Sequence, residues 1–193
     1  IDVREFGSGK TGMTNVMRTV GAPVAMLVML LDMGKSVLAV VLARVFADSP
    51  GVEALAALAS VFGHSWPVFI GFRGGRGTAP GWGALLILSP WAGLASTVIA
   101  APGLALTRYV SVGSLLGASS GAVVLVVLSA TGNAPLEYIW FGSIGGVLVV
   151  ARHKDNIARL LKGEERKIGR TPEATTDQPS TGRYKGLRWP RSA

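Results

Sequence analysis

Three short stretches concentrate residues that handle anions and protons. The first is "FGSGKTG", residues 6–12, followed by "TNVMR" ending at Arg18. Backbone N–H groups in a glycine-rich turn that leads into a helix start form an anion site, and Ser8, Gly9 and Lys10 add donors and space to it. The stretch looks like the phosphate loop of an ATPase. That loop reads G-x-x-x-x-G-K-[ST] after a buried strand. Aligning Gly9-Lys10-Thr11 with its end puts Arg4 where the first glycine belongs, and the preceding "IDVRE" is too short and polar for a buried strand. A phosphate cradle survives; a nucleotide-hydrolysing loop does not.

The second stretch is "GHSWPVFIGFRGGRGTA", residues 63–79. Gly74, Gly75 and Gly77 permit close approach of backbone to a ligand. Arg73 and Arg76 are forked cations suited to phosphate oxygens. Alone, such a loop reads equally as a lipid-headgroup contact, and His64 as a structural histidine. The third is "ARHKDNIARLLKGEE", residues 151–165. On a helix His153 and Asn156 are i,i+3 neighbours, and histidine moves a proton near neutral pH. Alone, this stretch reads as an interfacial amphipathic helix. Asp32 and Lys35 are also i,i+3, inside an apolar run where charges are costly. They read as a neutralising structural pair with access to a pocket.

The elements that must position these groups are apolar. Of 193 residues, 49% are hydrophobic and only 16% charged, against a usual charged share of about 25%. No Asp, Glu, Lys or Arg occurs from Gly77 to Thr107, from Tyr109 to Leu136, or from Tyr138 to Ala151. Membrane helices need about 20 mostly apolar residues. The expected fold is therefore an all-α, polytopic transmembrane bundle. Spans are expected at 22–46, 53–70, 79–89, 91–107, 111–131 and 136–151, with helical character continuing beyond Ala151. The run 77–107 would be roughly 45 Å long as one helix, so it is expected to break at Ser89-Pro90. The chain has no cysteine, which excludes disulfides, thiolate catalysis and zinc–thiolate sites.

Six crossings in up-down order put residues 1–19, 71–78, 108–110 and 152–193 on one side. That side holds most of the cations that give the net charge of +8, and the positive-inside rule makes it cytoplasmic. The basic balance thus serves membrane orientation and lipid contact, not nucleic acid. Residues 1–168 are expected to form one transmembrane domain. The Pro-, Ser- and Arg-rich tail 169–193 is expected to be disordered.

Together the three stretches resemble the bacterial acyltransferases that use acyl phosphate to acylate glycerol 3-phosphate. The resemblance runs from Ile1 to Lys167 through "GSGKTGMTNVMR", "GHSWPVFIGFRGGRGTA" and "RHKDNIARLLKGEE", with "LDMGKS" and "RYVSVGSLLGA" between them. It implies seven transmembrane helices, so that a first helix would precede this sequence, and a multi-pass protein of the bacterial inner membrane with its motifs and C-terminus cytoplasmic. It implies transfer of a fatty acyl group from acyl phosphate to the 1-hydroxyl of sn-glycerol 3-phosphate, giving lysophosphatidic acid and phosphate for phospholipid biosynthesis. It implies no cofactor, no metal and no obligatory protein partner. Ser8, Arg18, His153 and Asn156 fall on catalytic positions. Gly74, Gly75 and Gly77 fall on the acceptor-binding loop, where Gly9, Lys10, Arg73 and Arg76 join them as expected substrate contacts. Glu165 falls on a structural position. Lys10 stands where the family has Asn, Met13 where it has Ala, and Arg73 and Arg76 where it has lysines; Ser36 and Pro80 also differ.

The chemistry suits these residues. Acyl phosphate is already activated, so the protein must bring two anions together, orient a hydroxyl and stabilise a developing oxyanion. Ser8 is read as a phosphate or oxyanion ligand. His153, aided by Asn156, is read as orienting or deprotonating the hydroxyl, with a substrate phosphate as the other proton acceptor. The rival is a transporter for a phosphorylated solute, which requires a midplane site reachable from both sides.

Overall fold

The computed structural model describes residues 2–168; the expected tail 169–193 lies outside the described residues. The regular elements of those residues are all helical, with no strand among them. A 3₁₀ turn, Val3–Glu5, precedes α1 (Met13–Thr19). Then follow α2 (Ala22–Ala47), α3 (Pro50–Ser65), α4 (Thr78–Leu88), α5 (Pro90–Thr107) and α6 (Val110–Ala130). The apolar helix α7 (Tyr138–Arg152) and the short α8 (Lys154–Leu161) complete the described chain. The turn at Val3–Glu5, capped by the Asp2 side chain, occupies the place where a nucleotide loop would need a strand.

Among the described residues four helices are long and apolar enough to cross a membrane: Ala22–Ala47, Pro50–Ile70 with its terminal turn, Pro90–Thr107 and Val110–Ala130. Helices α4 and α7 are apolar but shorter. Large apolar side chains point outward along the spans, among them Leu31 at 63% and Phe46 at 82% exposure. That is the arrangement hydrocarbon favours, because lipid tails solvate such groups as well as a protein core does.

Six apolar helices thus stand where six were read, with shifted ends. The break falls at Ser89, whose hydroxyl accepts from the Ala92 N–H at the start of α5. The span read as 53–70 runs regularly only to Ser65. Pro67 disfavours a helical residue before it, and Trp66 takes an extended φ of −134°. Helical character does continue past Ala151, but His153 interrupts it between α7 and α8. Inside α7, residues Phe141–Gly145 form a π turn.

Small residues set the closest helix contact. Gly113, Gly117 and Gly121 of α6 recur every fourth residue and face Ala100, Ser96 and Ala92 of α5. A Cβ on each would stand 3.1–3.2 Å from a carbonyl of α5, at Ala100, Ser96 and Ala92 respectively. Such small-xxx-small rows let membrane helices approach closely.

Unequal lengths shape one end of the bundle. Helix α2 has 26 residues, α3 16 and α4 11, or about 39, 24 and 17 Å. Because α2 and α3 share a tight turn at Asp48-Ser49, the C-terminus of α3 reaches only the level of Asp32 in α2. The Gly74–Gly77 end of the loop between α3 and α4 is therefore recessed within the bundle, while Val68, Phe69 and Phe72 stay exposed. At the opposite end Glu53 is buried, accepting from Arg44 Nη2 at 2.7 Å and from the Tyr138 hydroxyl at 2.8 Å.

Candidate functional site

One cavity of about 300 Å³ opens at the recessed end. Polar groups from all three stretches line its mouth: Ser8, Lys10, Arg18, Arg76, Gly77, His153, Asn156 and Glu165. Its inner wall is apolar and glycine-rich, formed by Leu85, Ala100, Gly117, Ala118, Ala122, Phe141 and Gly142 among others. On α6, Ala122 lies 12 residues beyond Val110, so the cavity extends about 18 Å along that helix. The π turn of α7 supplies part of this wall.

The first stretch is organised by Asn15, a residue the motif reading did not single out. Its buried side chain accepts from the Ser8 N–H at 2.9 Å. It donates to the carbonyls of Val3, Phe6 and Lys10 at 2.8, 3.1 and 2.9 Å. Gly7 adopts φ +60°, and a Cβ there would overlap Asn15 Oδ1. One amide thus folds the loop around itself and presents Ser8 and Lys10 to the cavity. Gly9, at φ +66°, turns the chain between them and does not line the cavity itself. The signal was available: an Asn in the helix after a glycine-rich turn has side-chain bonds that compete with backbone pairing.

The second stretch divides. Arg76 and Gly77 line the cavity, and Gly77, at φ +82°, caps the start of α4. The Nε of Arg76 is buried without a partner. Gly74 and Gly75 lie behind, pressed on the end of α3: a Cβ on Gly75 would overlap His64 Nε2, and one on Gly74 would overlap the His64 carbonyl. Arg152 clasps this loop, donating from Nη2 to the carbonyls of Ser65 at 3.2 Å and Gly75 at 3.0 Å. Arg73 is placed elsewhere, in a separate shallow hollow with Arg4, Phe69, Ile70 and Gly71.

The third stretch is buried. His153 is 2% exposed, and its Nδ1 lies 2.8 Å from the Val149 carbonyl. A carbonyl only accepts, so Nδ1 carries a proton and Nε2 holds the lone pair of the neutral ring. Burial is the main cause that pulls His153 down to about 4, with the Arg76 and Arg152 cations acting in the same sense. Asn156 donates from Nδ2 to Glu165 Oε1 at 2.8 Å. Glu165 also accepts from Ser111 at 3.0 Å and from Arg159 at 2.8 Å, tying the chain after α8 to the start of α6.

Burial disfavours the charged forms of the cations at the mouth. Burial lowers Lys10, and Arg152 and Arg76 repel it further. Burial likewise lowers Arg76 and Arg18, aided by Arg159 and Arg166 respectively. Arg18 also donates to the Arg166 carbonyl at 3.1 Å. Clustered, partly desolvated cations with unsatisfied donors call for anionic ligands. Asp32 and Lys35 form the expected pair at 2.6 Å, but Asp32 also lines the cavity and reaches His64. Among the described residues no group of three or more His, Asp or Glu is arranged to hold a metal.

Comparison with known proteins agrees with this geometry. A family model described as glycerol-3-phosphate acyltransferase matches residues 1–163. A glycerol-3-phosphate acyltransferase of Halalkalibacterium halodurans is 44% identical over 177 residues, covering 91% of this chain and 86% of that protein. One from Trichormus variabilis is 41% identical over 195 residues, covering 92% and 84%. The crystal structure of PlsY (YgiH), an integral membrane glycerol 3-phosphate acyltransferase in its glycerol 3-phosphate form, superposes with a TM-score of 0.80 at 35% identity, covering 88% of this chain and 83% of that one. Its lysophosphatidic acid form gives 0.76. The chain belongs to the glycerol-3-phosphate acyltransferase family of integral membrane proteins.

Proposed function

We propose that this protein transfers a fatty acyl group from acyl phosphate to the 1-hydroxyl of sn-glycerol 3-phosphate, releasing lysophosphatidic acid and phosphate. The observation that carries the reading is one cavity with a cationic mouth, a buried neutral histidine beside it, and an apolar interior. Two phosphate-bearing substrates suit the mouth, and a fatty chain suits the interior.

Lys10, Arg18 and Arg76 bind the substrate phosphates, with Arg76, at the end of the glycine loop, taking that of glycerol 3-phosphate through a guanidinium whose buried Nε has no other partner. The start of α4 at Gly77 and Thr78 adds backbone donors. Ser8 donates to a phosphate or to the carbonyl oxygen as it gains charge. The acceptor hydroxyl donates its one proton to His153 Nε2 or to the unpartnered Asn156 Oδ1, and either contact aims its oxygen at the acyl carbon. A C–O bond forms there, the bond from that carbon to the phosphate oxygen breaks, and the phosphate leaves with the electron pair. A histidine near 4 is a weak base, so the hydroxyl proton ends on the phosphate that leaves with the electron pair and is the stronger base. His153 orients the reaction more than it titrates in it. Glu165 supports Asn156, and Gly74 and Gly75 support Arg76.

Residues 1–168 act as one transmembrane unit. The mouth faces the cytoplasm of a bacterial cell, where the positive-inside rule places it, and the acyl chain lies toward the bilayer. The cavity's charged groups come from one end of the bundle, which a transporter's two-sided site would not require. Supplying purified protein with radiolabelled glycerol 3-phosphate and either palmitoyl phosphate or palmitoyl-CoA tests the donor. Product from the phosphate donor alone supports the reading; equal product from the thioester contradicts it.

A further inference from the structure

We infer that Asp32 and His64 form a positioning pair for the glycine loop, through which a charge inside the apolar bundle sets the affinity for glycerol 3-phosphate. The inference rests on the acyltransferase reading above and assigns two residues that the reaction itself does not touch.

Asp32 lies well inside α2, and its side chain is only 14% exposed. A carboxylate at that depth demands partners. Lys35 alone would neutralise it, at 2.6 Å from Oδ1. Yet the same oxygen lies 3.1 Å from Nδ1 of His64, whose side chain is 7% exposed. Nδ1 is in turn 2.8 Å from Lys35 Nζ. Nδ1 therefore faces a donor and an acceptor, accepting from Lys35 or donating to Asp32 according to its tautomer, and turning the ring would forfeit either bond. Whichever nitrogen carries the proton, Nε2 stays pressed on Gly75.

The consequence is felt in the loop. The Gly75 N–H donates to the His64 carbonyl at 3.2 Å, and a side chain at Gly75 would collide with the ring. Arg152 holds Gly75 from its carbonyl side at 3.0 Å. Gly75 is thus fixed between His64 and Arg152, and the next residue is Arg76, which enters the cavity. Asp32 sets the ring, the ring sets the loop, and the loop aims Arg76. The depth of the loop, level with Asp32 because α3 is short, is what lets an intramembrane carboxylate reach it.

Two replacements of His64 separate positioning from simple packing. In His64→Gln the amide nitrogen falls near the site of Nε2; in His64→Asn it falls near Nδ1 and leaves the loop face empty. Steady-state kinetics with palmitoyl phosphate and glycerol 3-phosphate would be measured on the purified full chain. His64→Asn and Asp32→Ala are expected to raise KM for glycerol 3-phosphate about tenfold while kcat and KM for palmitoyl phosphate stay within about twofold. His64→Gln, which keeps the loop contact but not the contact to Asp32, is expected to recover part of the affinity, and Asp32→Asn, which keeps an oxygen acceptor, most of it. Thermal stabilisation of each variant by glycerol 3-phosphate gives a second readout that needs no turnover and should follow the same order. Unchanged KM in His64→Asn, or KM equally raised in Asn and Gln variants, or a fall confined to kcat, would overturn the positioning role while leaving the acyltransferase reading intact. A wild-type protein that neither turns over nor is stabilised by glycerol 3-phosphate would overturn both.

Discussion

Asn156 donates its amide to Glu165 at 2.8 Å, and this single bond leaves Asn156 Oδ1 buried with no partner. The carboxylate can only accept, so it decides which end of the amide turns away from it. An oxygen acceptor is thereby held in a cavity whose other polar groups are mostly donors. In the proposed reaction Glu165 would thereby keep one acceptor free for the substrate hydroxyl.

Removing that support should cost folding as well as catalysis. Glu165→Ala leaves Arg159, Ser111 and Asn156 without the carboxylate they donate to, and losing hydrogen bonds to a buried charged group costs about 2 kcal/mol. Thermal denaturation in detergent should show a clear drop in midpoint. Asn156→Asp, which sets two carboxylates against each other, should also lower it. Full stability in Glu165→Ala would contradict the supporting role.

The buried His153 gives a pH signature. Its folded pKa, about 4, lies below the ordinary value of 6.5. Below 6.5 the unfolded chain gains a proton there that the folded chain refuses, so stability should decline as pH falls from 6.5 toward 4. His153→Gln should flatten that part of the curve. In ¹⁵N-histidine spectra the ring should remain neutral, with its proton on Nδ1, down to about pH 5. A midpoint near 6.5 in the ligand-free protein would contradict this environment. Bound phosphate dianions should raise the value.

Asn15 should matter more than its absence from the motif argument suggests. Asn15→Asp keeps the acceptor for the Ser8 N–H but loses the donors to three carbonyls. kcat/KM should fall by at least about tenfold, since the loss is one or more hydrogen bonds at about 1.4 kcal/mol per decade. Activity within twofold of wild type would show that the first loop holds its shape without this side chain.

The far end of the bundle provides a contrast. Tyr138→Phe removes the hydroxyl that donates to buried Glu53 at 2.8 Å. It should destabilise by about 1–2 kcal/mol and leave both KM values unchanged, because the pair lies at the end of α3 away from the cavity mouth. A changed KM would mean the two ends are coupled.

Helix placement was legible because charge-free runs leave few alternatives, and Pro90 marked a break that composition alone would have hidden. Pro67 carried the same kind of signal, yet the apolar "VFI" after it suggested more helix than forms. The Gly113, Gly117 and Gly121 row was also visible, but its meaning depends on which helix faces it. Convergence of the three stretches could be argued from the parity of the spans. What parity could not give was depth: the recess follows from the lengths of α2, α3 and α4 taken together. For the same reason Asp32 and Lys35 looked complete as a pair, since i,i+3 spacing says nothing of a histidine arriving from α3. Arg73 and Arg76 looked equivalent in sequence, and the turn at Gly74 and Gly75 sends only Arg76 into the cavity.

The most direct test of a single acyltransferase site built from all three stretches is product formation by the purified chain and by His153→Ala. With palmitoyl phosphate and glycerol 3-phosphate, wild type should release lysophosphatidic acid and phosphate in equal amounts, and His153→Ala should be slowed by about a hundredfold or more. Absence of product from wild type, where a related enzyme works under the same conditions, would contradict the function. Full activity in His153→Ala would contradict the site.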